Sequence, residues 1–205
     1  SIPGNALLSG KDTDGDGITD QKELDVYSTD PRKKDFDGDG MNDGAELDVG
    51  RDPTGEGYIQ ASITIEKIGI TAPIVWGQKA DEESMQEYLR QGVVHYPGTA
   101  APGRTASVDG YVTGHSSYYK WDPGQYKYIF KDLYKLEVGD TFYFDYLLKN
   151  GRSVRFTYRT VERDIVTPDD PKLFQASNQP IMTLVSCHPP GTSWKRVMYR
   201  SELQE

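Results

Sequence analysis

"LVSCHPPGTSWKRVMY", residues 184–199, reads as two β-strands folded against each other. A short β-branched run ends at Cys187, a Pro-Pro-Gly turn follows, and a second alternating run begins at Lys195. Cys187 is the single cysteine of the 205 residues, so no intrachain disulfide can form. A lone cysteine is most often a small buried hydrophobe. This one stands at the exit of its strand, against a loop, where scaffolds carry their functional groups. On the second strand Arg196 and Arg200 share a face with Met198 by parity, and Lys195 takes the other face. Arg196 is nearer the turn, and a salt-bridging role on an edge strand suits either arginine equally well at this stage.

Outward from this pair, the chain from Tyr58 onward consists of short alternating or β-branched runs broken by Gly and Pro, the pattern of an all-β barrel or sandwich. Strands are expected over 60–66, 70–75, 106–112, 141–148, 152–159, 161–166, 181–187 and 195–201. Helices are expected over 81–92, with acidic residues in its first turn and Gly at its end, and over 128–136, where Ile129, Leu133 and Leu136 share a face.

A thiolate nucleophile needs a partner for its proton and a donor for the oxyanion formed on attack. Of three histidines, His188 follows Cys187 directly, and neighbouring residues of an extended chain point to opposite faces. His95, in "VVHYPGT", fits a structural histidine bonded to loop backbone. His115, in "VTGHSSYY", ends a strand after a Gly and opens a polar, aromatic loop, the placement expected of a site histidine.

The first 57 residues differ in kind. They carry 15 Asp and Glu against 6 Lys and Arg, a net of −9, while residues 58–205 carry 17 against 17. An acidic head on a neutral remainder argues against nucleic acid as a partner. The head is a repeat: "DTDGDGITDQKELDV" (12–26) returns as "DFDGDGMNDGAELDV" (35–49), 23 residues later. Asp12, Asp14, Asp16, Asp20 and Glu23 occupy positions 1, 3, 5, 9 and 12 of a loop with Gly17 at position 6, the oxygen-ligand spacing of an EF-hand-type calcium site. Asp35, Asp37, Asp39, Asp43 and Glu46 repeat it around Gly40, and Ile18 and Met41 at position 7 would offer backbone carbonyls. A solvated acidic linker needs neither the glycine nor the register. The head is therefore expected to bind two Ca2+ ions, to lose its order without them, and to act as a spacer.

With "STDP" (28–31) and "GRDP" (50–53) after the loops, the head resembles bacterial thrombospondin type 3 repeats over about residues 10–55. Asp30 and Asp52 in those tails fit either added ligands or turn residues before proline. Dockerin modules are less similar, since their last ligand is typically Asp.

"TLVSC", followed nine residues later by Arg196 and preceded upstream by "TGH", resembles the sortase signature. "ITIEKIGITAPIV" (63–75), "GVVHYPGTAAPG" (92–103) and "LYKLEVGD" (133–140) extend the resemblance over 58–205. It implies a mainly β fold: an eight-stranded β-barrel with two or more short helices, spanning 58–205 and preceded by the small calcium-stabilised module of 1–57. It implies a cysteine transpeptidase that cleaves an LPxTG-like sorting signal of a secreted protein between Thr and Gly and transfers it to an amine, a cell-wall cross-bridge or a pilin lysine. Carried over, Cys187 is the nucleophile, His115 the general acid and base, and Arg196 the substrate and oxyanion holder. Ser186 stands where Thr is commonest, and "SVDGY" replaces a Gly-Asn-Val run. The "CHPPGT" turn is most similar to the class D, E or F branches, and no separate lid motif is present. An inactive barrel serving adhesion, or an endopeptidase releasing the acyl group to water, are the other readings. Residues 1–10 carry no signal-peptide pattern, and any signal or membrane anchor is expected to precede Ser1.

Overall fold

A computed structural model describes residues 10–122 and 124–204. Residues 1–9, which the sequence reading assigned to the acidic head, and Pro123 and Glu205 lie outside the described residues. Among the described residues two compact units are present: one comprises residues 10–60 with the hairpin tip Tyr146–Val154, the other Ala61–Asp145 and residues 155–204.

In the first unit each acidic loop leads into a helical turn. Helix α1 (Asp20–Lys22) continues as a π turn over Glu23–Tyr27, and α2 spans Asp43–Asp48. Thr19 and Asn42 cap them, their side-chain oxygens accepting from Lys22 and Ala45 N–H. Ile18, Tyr27, Leu47, Ile59, Tyr146 and Leu148 are the large buried apolar residues here, joined by the buried polar residues Asp16, Glu23, Thr29, Asp43, Glu46 and Asp52. Asp52 and Asp30, the tail aspartates, both form turns: Asp30 Oδ1 accepts from Arg32 N–H, and Asp52 Oδ1 accepts from Thr54 N–H at 3.0 Å. The other Asp52 oxygen accepts from Lys149 N–H at 2.7 Å, at the hairpin tip. Asn150 Nδ2 donates to Tyr27 O at 3.0 Å and Arg152 to Ser28 Oγ at 2.7 Å, so the tip is bonded into the repeats along its length.

The second unit is built on a closed barrel of eight strands in the order β1-β2-β3-β4-β7-β8-β6-β5. These are β1 (Gln60–Ile65), β2 (Ile70–Trp76), β3 (Val93–His95), β4 (Gly110–Thr113), β5 (Thr141–Leu147), β6 (Ser153–Val166), β7 (Ile181–His188) and β8 (Lys195–Leu203). Alternation drives closure: β1 and β5 bury every second residue, and Ile63, Ile65, Phe142, Phe144 and Tyr158 are fully covered. β7 is buried on both faces from Ile181 to Ser186, as its near-continuous apolar run requires. It pairs parallel with β4 and antiparallel with β8.

The eight-stranded barrel is as expected, but its strands are not all those expected. The runs 152–159 and 161–166 form one strand, β6, with a bulge between Thr160 and Glu162. The eighth strand is instead β3, three residues long and inserted between β2 and β4. β4 starts at Gly110 rather than 106, because the polar stretch before it is irregular and Asp109 turns its carboxylate to Arg200 at 2.8 Å. Helix α3 (Glu82–Gln91) matches the expectation, capped by Asp81, whose carboxylate accepts from Ser84 N–H. The helix expected at 128–136 is turns followed by a single 3-10 turn, Leu133–Lys135. Phe130 N–H donates to His115 O at 2.9 Å, so tertiary bonding takes the place of a helical ladder.

Candidate active site and acidic loops

β7 and β8 bring Cys187 directly opposite Arg196, with His188 opposite Lys195. Two residues back along β7, Val185 faces Met198, and these two share a cluster with Tyr111, Val166 and Leu173. By strand parity Cys187 and Arg196 continue that face, and His188 is turned from it. Cys187 is half-buried. Arg196 is steadied by its own loop, donating from Nη1 to Ser193 O at 3.1 Å and Lys195 O at 3.0 Å. Arg200, the alternative, is engaged with Asp109 at 2.8 Å and Glu162 at 3.7 Å, which makes it the structural arginine of the two.

His115 follows β4 and Gly114. A side chain at Gly114 would bring its Cβ to 2.8 Å from Phe130, so the glycine is what lets the loop close on that ring. Ser186, next to Cys187, donates from Oγ to Gly114 O at 2.8 Å, so a buried hydroxyl ties the thiol's strand to the peptide before the histidine. The His115 ring stacks on Tyr118 with centroids 4.5 Å apart, and its Nε2 is buried without a hydrogen-bond partner. Burial pushes the imidazole below its ordinary pKa; attraction by Asp122 works against this and repulsion by Arg90 with it. Asp122 is itself buried and held by Arg90 at 3.0 Å. His95 is fully enclosed, its Nε2 donating to Ala100 O at 2.9 Å, and burial lowers it to about 4.

Two neighbours escaped the sequence reading. Tyr111 is pushed above the ordinary phenol range by burial, with the positive charge of Arg196 working against it. It stacks on Phe174 at 5.0 Å, with Tyr96 edge-on to both. The Arg90–Asp122 pair is the other. Nothing in the sequence links residues 32 apart; only the odd placement of Asp122 in an aromatic loop hinted at it.

The two acidic loops share one backbone design. Asp12 accepts from Gly15 and Gly17 N–H, and Asp35 from Gly38 and Gly40 N–H at 2.6 and 3.0 Å. Gly17 and Gly40 hold φ of 94° and 100°, open to glycine at little cost. Three carboxylate groups lie with their oxygens within 4.8 Å: Asp12, Asp14 and Asp16; Asp35, Asp37 and Asp39; and Asp16, Glu23 and Asp43. Asp20 joins none of them among the described residues; its oxygens accept from Thr13 N–H and Oγ1–H at 2.7 Å. The Ile18 side chain is buried, that of Met41 half-buried. Asp14, Glu23, Asp37, Asp43 and Glu46 each keep a buried oxygen without a hydrogen bond. Burial, with neighbouring carboxylates, pushes Glu46 up to about 8 and Glu23 and Asp43 to about 7, Arg51 opposing at Glu46. Oxygens so placed fit a hard divalent cation, which restores their charge and their ligands together.

The family model described as "Sortase domain" matches residues 63–204. The chain belongs to the sortase family. That family is one of cysteine transpeptidases associated with the cell surface; no helix among the described residues is long and apolar enough to cross a membrane. The bacterial TSP3 repeat, a calcium-binding type, matches 12–34 and 35–54. Among solved structures, sortase C-1 of Actinomyces oris is 26% identical, with 71% of this chain and 73% of that chain covered and a TM-score of 0.56. The pilus-related sortase C of Group B Streptococcus is 25% identical (75% and 71% covered, TM-score 0.56). Sortase A from Corynebacterium diphtheriae, at 24% identity, 75% and 64% coverage and TM-score 0.57, shares the fold. No curated protein matches the chain.

Proposed function

We propose that this sortase cleaves an LPxTG-like sorting signal of a secreted protein between Thr and Gly. It passes the acyl group to an amine, a cell-wall cross-bridge or a pilin lysine, at the outer face of the cell membrane. The observation that carries the reading is the cross-strand pairing of Cys187 with Arg196. The Ser186 bond to the peptide before His115 supports it.

A histidine held neutral by burial is a proton acceptor, so the Cys187 Sγ–H proton passes to the His115 ring as sulfur attacks the Thr carbonyl carbon. A C–S bond forms, and the carbonyl oxygen takes the negative charge beside the Arg196 guanidinium. Collapse breaks the C–N bond, and the His115 proton goes to the departing glycine nitrogen. The thioester is resolved by the acceptor amine, which loses its proton to His115 while sulfur leaves as thiolate.

In the repeats, Asp12, Asp14, Asp16, Glu23 and the Ile18 carbonyl would hold one calcium ion, and Asp35, Asp37, Asp39, Glu46 and the Met41 carbonyl a second. The ions supply charge neutralisation and order. Asp20 supports its loop by binding Thr13. The module then acts as a spacer outside the chemistry.

An LPxTG-type peptide library, offered with and without triglycine, tests the proposal. Cys187→Ala is expected to abolish turnover and His115→Ala or Arg196→Ala to lower it by about a hundredfold or more, with His188→Ala active. Ligated product in triglycine marks a transpeptidase, and hydrolysis alone would count against one. A dead His188→Ala beside an active, folded His115→Ala would overturn the assignment.

A further inference from the structure

The two acidic loops match in sequence but not in surroundings. At position 9 of the first, Asp20 spends both oxygens on Thr13. At position 9 of the second, Asp43 uses only Oδ1 in the same way, accepting from Phe36 N–H at 2.7 Å. Its Oδ2 is buried without a hydrogen bond, and its carboxylate lies with those of Asp16 and Glu23, which belong to the first loop, their oxygens within 4.8 Å of one another. Glu23 Oε2 is likewise buried and unpartnered, and Glu23 and Asp43 are both wholly inaccessible to solvent. Asp16 Oδ2 meanwhile accepts from Gly44 N–H, the residue after Asp43, at 3.2 Å.

A cation already stands in the second loop. Arg51 reaches Asp39 Oδ2 at 2.5 Å and Glu46 Oε1 at 3.6 Å. The equivalent position 23 residues earlier is Ser28, which carries no charge. Five carboxylates, those of Asp12, Asp14, Asp16, Glu23 and Asp43, therefore face the first site, where Lys34 Nζ donates to the Gly15 carbonyl at 3.1 Å but pairs with none of the five among the ion pairs of the described residues. The second has four, with a guanidinium competing for two.

We propose that Asp43 crosses from the second repeat to serve as a ligand of the first repeat's calcium ion, making that site the stronger and locking the two repeats into one calcium-dependent unit. This rests on the calcium reading above. Ligand charge count sets affinity in oxygen cages, so the first site fills first. An ion there holds residues from both repeats, which order together.

The test is calcium titration of the whole chain by calorimetry and by terbium luminescence. Asp43→Asn keeps an oxygen for Phe36 N–H and removes the charge, and Asp20→Asn makes the same change where only the bonds to Thr13 and the Lys11 ion pair are at stake. Asp43→Asn should weaken the tighter site by about tenfold or more, and Asp20→Asn should weaken it by less than about threefold. In an Asp14→Asn background, which disables the first loop, the Asp43→Asn effect should vanish, and in Asp37→Asn it should persist. Equal losses in the two position-9 variants, or an Asp43→Asn effect that disappears only with Asp37→Asn, would overturn the proposal. No calcium binding by the unmutated chain would remove the calcium reading itself, a separate failure.

Discussion

The barrel and the repeats are built from opposite materials. The barrel buries Ile63, Ile65, Phe142, Phe144, Leu184 and Tyr199, with ring contacts such as Phe144 against Tyr158 at 5.7 Å. The repeats bury Ile18, Tyr27 and Leu47 around Asp16, Glu23, Asp43 and Glu46. Apolar burial needs nothing from solution beyond water, whereas buried carboxylates repel one another and must find a counter-charge. The difference teaches that one chain can hold a core it carries and a core it has to collect.

Chelation is the strongest way to break this comparison. With EDTA the repeats should lose their order entirely, while the barrel keeps its near-ultraviolet circular dichroism. With calcium at about a hundred times its dissociation constant, the repeats should gain about 2.7 kcal/mol from binding for each ion held. Because the tip around Lys149 and Asn150 is bonded to Asp52 and Tyr27, its amide-exchange protection should follow calcium although its strands belong to the barrel. A barrel melting transition that moved with calcium as far as the repeats' own would dissolve the distinction.

A change inside the barrel sharpens it from the other side. Phe144→Ala removes a fully buried ring and should cost about 3–5 kcal/mol. The cost should be the same with calcium or EDTA. Urea melts of the barrel transition under both conditions measure it, and a calcium-dependent cost would show that the two cores are coupled.

A smaller effect comes from the one titratable group that the barrel encloses completely among its histidines. His95 sits at about 4 in the fold against an ordinary value of 6.5. Between those limits the unfolded chain binds the proton and the folded chain does not, so stability falls as pH drops from about 6.5 toward 4 and is level above. The loss at the bottom of that window is on the order of 3 kcal/mol. Melts across pH in saturating calcium should show it, and His95→Gln should flatten that part of the profile. An unchanged slope in His95→Gln would mean that other groups set the acid limit.

Much of this was legible along the chain because its causes are local. Alternation in "ASITI" and "TFYFDY" predicts half-buried strands, and both form. Asp81 and the acidic first turn predict α3. Parity along each strand puts Arg196, Met198 and Arg200 on one face and turns His188 from Cys187, whereas the register that sets Arg196 opposite Cys187 comes from the pairing of β7 with β8. The aspartate-glycine spacing of the loops is local too. The failures are local readings overruled at a distance: 128–136 has helical periodicity, yet Phe130 bonds to the carbonyl of His115 instead. The run "VVH" is too short to declare itself a strand until β2 and β4 flank it.

Sequence by itself therefore determined the barrel's strand chemistry, the loop spacing and the cysteine, histidine and arginine to be weighed. Only the tertiary structure decided that Ser186 would hold the peptide before His115, that Arg200 would be taken by Asp109, and that Asp52 would cap Lys149. It also decided that Asp43 would face the first repeat while its twin Asp20 faces its own. Each of these joins residues far apart in the chain, and the sequence records no distance between them. A residue's type fixes what it can bond; the closed barrel and the stacked loops fix what is there to be bonded.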